Sequence, residues 1–138
     1  MLSALLDAGP MVALFAPDDA HHRRFDALIR ELSPKGLRLL TTWPCVVEAA
    51  YLLDAPQRFE LLRWIELGAA QVVPFDAHHL GDIAAWMRRY TDRKRDMDLA
   101  AASLYWLAAD MGVRRILTVD EADFRRYRLP DGKHFELL

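Results

Sequence analysis

The segment from Arg95 to Asp120, opened by Asp96-Met97-Asp98, restricts the fold more than any other part of the chain. Leu99 to Ala109 is apolar on nearly every side and rich in alanine and leucine around a single Trp106, which predicts a helix enclosed on most of its surface. Asp110-Met111-Gly112 ends it, because glycine can take the left-handed turn that stops a helix. Ile116-Leu117-Thr118-Val119 then predicts a short buried strand, with Asp120 at its C-terminal end. A helix this apolar needs covering layers, and in an open parallel sheet the C-terminal ends of the strands form the functional edge. Asp120 is therefore a candidate ligand.

The rest of the chain repeats the alternation. Strands are expected at Leu2 to Leu6, Leu37 to Thr42 and Val72-Val73, with a last edge strand from Phe135 to Leu138. Helices are expected from Pro10 to Phe15, Ala20 to Leu32, Pro44 to Leu53, Phe59 to Leu67, Ala77 to Tyr90 and Glu121 to Tyr127. Val46, Val47, Ala50, Tyr51 and Leu53 would form the apolar face of the Pro44 helix, and Phe59, Leu62, Trp64, Ile65 and Leu67 that of the next. Strands separated by helices imply an α/β chain with a mainly parallel sheet covered on both faces. At 138 residues, without repeat, low-complexity tract or linker, residues 1–138 read as one domain.

Composition excludes several classes. Hydrophobic residues make up 53% and charged residues 28%, which argues against disorder. No apolar run approaches membrane-spanning length, and Asp7 interrupts the first one before it can resemble a signal peptide. Neither a membrane protein nor a secreted one is expected. The lone Cys45 excludes an internal disulfide and fits a cytoplasmic protein, with packing as its simplest role. A net charge of −2 argues against a protein that coats nucleic acid. From Arg88 to Arg128, however, ten Lys/Arg face seven Asp/Glu, so basic residues flank the acidic ones of the opening segment, as a site for a polyanion needs.

Four acidic residues from separate parts of the chain fall beside the same inferred edge: Asp7, Glu48, Asp98 and Asp120. Asp7 reads equally as a helix cap, and Glu48 as a residue favourable to a helix dipole. Were all four to converge, they would repel one another unless protonated or bound to cations. Convergence predicts metal. Oxygen-only ligands suit Mg²⁺ or Mn²⁺, a recurring means of hydrolysing phosphodiesters. The adjacent pairs His21/His22 and His78/His79 would point in different directions on a helix, and read as surface residues. Of the tryptophans, Trp64, Trp86 and Trp106 read as core and Trp43 is the least determined. No Gly-rich phosphate loop, Ser/His/Asp order or zinc spacing competes.

At this level the sequence resembles the PIN-domain family, and within it the VapC-type toxin ribonucleases of type II toxin–antitoxin pairs. The residues that carry the likeness are Leu5-Leu6-Asp7-Ala8-Gly9-Pro10, Thr41 to Leu53 with Glu48, Met97-Asp98-Leu99-Ala100-Ala101-Ala102-Ser103-Leu104, and Ile116 to Asp120 with Asp123-Phe124 and Tyr127-Arg128. The resemblance implies a PIN-like three-layer α/β fold, Mg²⁺ or Mn²⁺, cleavage of an RNA substrate, a homodimer, and inhibition by a cognate antitoxin protein. By position Asp7, Glu48 and Asp120 match acidic ligands of the family, and Asp98 an acidic position frequent in the subfamily. Ala101 stands where the pattern has a further aspartate, either as a natural departure or as a deliberate replacement. Its absence would impair the site. Thr118 reads as a hydrogen-bond partner of a ligand or of the phosphate, or as a plain strand threonine; Asp123 is a further candidate support. Arg93, Lys94 and Arg95 read as RNA contacts or as solvated loop charges. The competing classes are a catalytically degenerate PIN-like module that binds RNA or protein, and a phosphoryl-accepting receiver domain. The second lacks a lysine at its late strand end.

Overall fold

A computed structural model describes residues 1–138. Its centre is a five-stranded, wholly parallel sheet of order β3-β2-β1-β4-β5, formed by β1 (Leu2–Leu6), β2 (Leu37–Thr41), β3 (Ala70–Val72), β4 (Arg115–Leu117) and β5 (Glu136–Leu137). Seven helices connect them: α1 (Ala8–Phe15), α2 (His22–Leu32), α3 (Trp43–Leu52), α4 (Ala55–Glu66), α5 (Leu80–Tyr90), α6 (Leu99–Met111) and α7 (Glu121–Arg126). This is the α/β architecture expected from the alternation of strands and helices.

β1 lies in the middle, paired with β2 through Leu2↔Leu37 to Leu5↔Leu40 and with β4 through Leu5↔Ile116 and Leu6↔Leu117. From β1 the chain winds outward to β2 and β3, then returns to β4 on the other side of β1. The C-terminal ends of β1 and β4 therefore flank a topological switch point, where a crevice opens in sheets of this kind. α6 is the most enclosed helix. Ala100 and every residue from Ala102 to Ala108 are buried, so its all-round apolar character has found its covering layers. Asp98 caps its start, and Gly112, with φ +67°, ends it.

Several expectations need correction. β4 stops at Leu117, so Thr118 and Val119 lie outside the ladder. The Thr118 hydroxyl accepts from the Asp120 amide, which turns the chain toward α7. β3 begins at Ala70, earlier than its two valines suggest. On α3 the buried residues are Cys45, Val46 and Ala49, while Val47 and Tyr51 face outward. On α4 only Leu61 is fully buried; Phe59, Leu62 and Leu67 are exposed. Both helices are apolar on more than one side, so periodicity alone could not decide which side faces the sheet.

Two histidine assignments also change. His22 is half-buried, and its Nδ1 lies 2.7 Å from the Ala13 carbonyl, to which it donates. Ala77–His79 forms a 3₁₀ turn rather than the first turn of α5. There the His79 Nδ1 accepts from the Asp76 amide, and the His78 and His79 rings lie with centroids 4.0 Å apart. The divergence expected of neighbours on a helix does not apply to them.

Candidate metal centre and active site

The site begins with the end of β1. Asp7 leaves the strand in extended conformation and caps α1, its Oδ1 accepting from the Ala8 amide at 2.8 Å. Its own amide donates to Leu117 of β4, which fixes it against the neighbouring strand end. Both readings of Asp7, as cap and as strand-end carboxylate, hold together. The second oxygen, Oδ2, accepts from the Thr118 hydroxyl at 2.7 Å. Because Thr118 in turn accepts from the Asp120 amide at 3.0 Å, one buried hydroxyl joins the two aspartates. Thr118 is thus not a strand residue, and its hydroxyl is committed to the two aspartates.

Asp7 is only 5% exposed, with no cationic side chain hydrogen-bonded to it. Burial pushes its carboxyl up to about 6, against the pull of the Thr118 and Ala8 hydrogen bonds, and the charges of Asp120 and Glu48 push in the same direction. Glu48 is raised by partial enclosure, then by Asp98 and Asp120. Asp120 is raised by partial enclosure, then by Asp123 and Asp98. Each of the four acids therefore lies within electrostatic reach of others of the set. The fold gathers like charge at one edge, and like charges there oppose ionisation.

They are gathered, but not closely packed. No three of these carboxylates have oxygens within 4.8 Å of one another; the one cluster that meets this spacing is Asp76, His78 and His79. Asp98 commits Oδ1 to the α6 cap, accepting from the Ala101 amide at 2.8 Å. Ala101, half-buried in the first turn of α6, contributes only a methyl group. The donor set nonetheless fits a hard divalent cation. A buried Asp7 with no cationic side chain hydrogen-bonded to it, beside further carboxylates, is the arrangement such an ion relieves.

The remaining candidates divide. Asp123 pairs with Arg126 at 3.3 Å and is the charge that most raises Asp120. Arg93, Lys94 and Arg95 lie in an exposed loop folded around Asp92, whose Oδ1 accepts from the Lys94 and Arg95 amides. Cys45 is buried, with its sulfur 3.9 Å from Asp7 Oδ1, and burial and then the Asp7 charge push the thiol up to about 12. It acts as packing.

Sequence reasoning missed the polar support beneath the site. Thr41 donates to the Leu6 carbonyl at 2.7 Å, tying the ends of β1 and β2. Thr42 Oγ1 lies 2.6 Å from Ser103 Oγ and 3.4 Å from Cys45 Sγ, and Ser103 Oγ also lies 2.7 Å from the Ala100 carbonyl. All three hydroxyl-bearing side chains are fully buried, and they join the starts of α3 and α6. Two threonines before Trp43-Pro44 were the available signal.

Acids brought from four chain segments to one edge of a parallel sheet, at its switch point, define a class of protein. A family model for the PIN domain matches residues 4–129, and the chain belongs to that family. Among solved structures it is similar to the Mycobacterium tuberculosis toxin VapC20, described as cleaving the sarcin–ricin loop: 17% identity over 82% of this chain and 86% of that one, TM-score 0.68. It is also similar to FitAB, solved bound to an IR36 DNA fragment: 21% identity over 88% and 87%, TM-score 0.56. At such identities these likenesses concern the fold. No curated protein matches the sequence.

Proposed function

We propose that the chain is a divalent-cation-dependent endoribonuclease of the toxin type, with Asp7, Asp120 and Glu48 as cation ligands and Asp98 at the rim. The observation that carries this reading is the buried Asp7 carboxylate, raised to about 6 and joined to Asp120 through Thr118. Membership of the PIN family and likeness in fold to a toxin described as cleaving the sarcin–ricin loop support it. Mg²⁺ or Mn²⁺ is the cation that an all-oxygen set favours. Once bound, it supplies Lewis acidity toward a phosphodiester oxygen and offsets charge that develops there. The chain's own residues do the rest. Thr118 holds Asp7 oriented, and Asp120 and Glu48 keep a negative pocket that binds no second anion without a cation.

The same reading assigns a single domain, a cognate antitoxin as partner, RNA as substrate and a homodimer in the cytoplasm. No helix is long and apolar enough to cross a membrane. Arg93, Lys94 and Arg95 are the candidates for contact with the RNA backbone, and Asp123 for steadying Asp120.

One observation favours a second reading, a degenerate module that binds RNA or protein without cutting: no three of the acids bring their oxygens within 4.8 Å of one another, and Ala101 supplies no further carboxylate. Ala101→Asp decides between them. Mn²⁺-dependent cleavage of single-stranded RNA is expected to rise well above that of the parent. Equal or absent cleavage in both proteins would reject the nuclease reading.

A further inference from the structure

Asp76, His78 and His79 share one turn between β3 and α5, and a ligand atom from each lies within 4.8 Å of the other two. Neighbouring histidines on an α-helix would point apart. Here the 3₁₀ turn Ala77–His79 brings the two rings together, with His78 Nδ1 4.0 Å from Asp76 Oδ2. Asp76 fixes the turn twice over, since its side chain accepts from the His79 amide and its own amide donates to His79 Nδ1 at 2.9 Å. Behind the pair, the His79 ring rests on Trp106 of α6, centroids 5.1 Å apart, and Trp106 is buried. The fold therefore holds the three side chains in one arrangement from behind. Their open side faces solvent, the Asp76 and His78 side chains being 76% and 73% exposed.

Two imidazoles and one carboxylate form a donor set unlike the oxygen-only edge of the sheet. Nitrogen donors favour Zn²⁺ over Mn²⁺ and Mg²⁺. Zn²⁺ is also the ion that takes three such ligands in a tetrahedron and leaves the fourth position to water. No Lys or Arg pairs with Asp76, whose one charged neighbour at ion-pair distance is His78 itself. The carboxylate is thus free to serve a cation.

We propose that Asp76, His78 and His79 form a Zn²⁺ site, separate from the carboxylates at the ends of β1 and β4, that pins the β3–α5 turn to α6 through Trp106. Because His79 Nδ1 accepts an N–H, its ring proton sits on Nε2, and Nδ1 is the nitrogen left to a cation. The ion replaces the Asp76 amide there, and that amide turns to water, which the exposure of Asp76 allows. The two sites then sort cations by donor chemistry, Mg²⁺ or Mn²⁺ at the sheet edge and Zn²⁺ at the turn. This site does not depend on the nuclease reading.

The test is titration calorimetry of the full chain, free of any affinity tag, with Zn²⁺, together with its melting temperature with and without the ion. One equivalent of Zn²⁺ is expected at the turn, and it should persist in Asp7→Asn. His78→Gln and Asp76→Asn should each weaken it at least ten-fold. In EDTA both variants should melt with the parent, because His78 is exposed and asparagine still caps the turn. Zn²⁺ should raise the melting temperature of the parent and of Asp7→Asn, and leave that of His78→Gln unchanged. His79→Gln should also lose the ion, at a cost in stability of its own, since that ring packs on Trp106. Equal Zn²⁺ affinity in the parent, His78→Gln and His79→Gln overturns the proposal. So does affinity lost in Asp7→Asn, which assigns the ion to the sheet edge, and so does a parent that binds no Zn²⁺.

Discussion

Asp7→Asn should make the metal-free protein more stable at neutral pH, although it removes the residue at the centre of the site. The carboxyl titrates at about 6 in the folded chain against an ordinary 3.8, so the folded state holds its proton more tightly than the unfolded one. Stability from this group is therefore full below pH 3.8, falls as pH rises through 6, and stays reduced above it. The difference is about 3 kcal/mol at complete ionisation. Asparagine escapes that loss but turns an NH₂ toward either the Ala8 amide or the Thr118 hydroxyl, at a cost of about 1 kcal/mol. A net gain of about 2 kcal/mol at pH 7 remains, as the difference between those two contributions. Urea unfolding in EDTA, followed by circular dichroism, measures it. Near pH 4 the advantage should vanish or reverse, and added Mn²⁺ should stabilise the parent more than the variant. If Asp7→Asn is less stable than the parent at pH 7, or if the difference ignores pH, the account of an ionically strained carboxylate is wrong.

Thr118→Val keeps the shape of the side chain but leaves Asp7 Oδ2 without its donor and the Asp120 amide without its acceptor. A loss of about 1–3 kcal/mol is expected, with the pH-dependent part of the stability curve moved to higher pH, since the lost hydrogen bond had favoured the ionised form. Gly9→Ala would place a methyl group 2.4 Å from Val119 Cγ2, in a stiff β-branched side chain between Thr118 and Asp120. Thermal unfolding should show a destabilisation of about 1–3 kcal/mol, relieved in Gly9→Ala/Val119→Ala. No relief in the double variant would mean that Val119 is not the obstacle.

The sequence made the sheet edge legible because strand, acid and helix follow one another directly. Leu2 to Asp7 and Ile116 to Asp120 each announce a strand that ends at a carboxylate, and both ends fall at the switch point between β1 and β4. The enclosed α6 was equally plain, since a helix without a polar face has one place to go. The orientation of α3 was not. Trp43, Val47 and Tyr51 form as good an apolar stripe as Cys45, Val46 and Ala49, and only packing against α1 and α6 chose the second. Hydrogen bonds made across the fold were hidden for a similar reason. Thr118 meets Asp7, 111 residues away in the chain, and Thr42 meets Ser103 across 61. His78 and His79 escaped because a helical turn was assumed where Asp76 caps a 3₁₀ turn and draws the His79 ring back.

The central claim is that the acids at the ends of β1 and β4 hold a divalent cation. Titration calorimetry with Mn²⁺ on the parent, Asp7→Asn, Asp120→Asn and His79→Ala tests it most directly, because Asp76, His78 and His79 form the one tighter cluster of metal-binding side chains. The account predicts binding to the parent that is sharply weakened in both aspartate variants and unchanged in His79→Ala. Binding lost with His79 but indifferent to Asp7 and Asp120, or no binding at all, would contradict it.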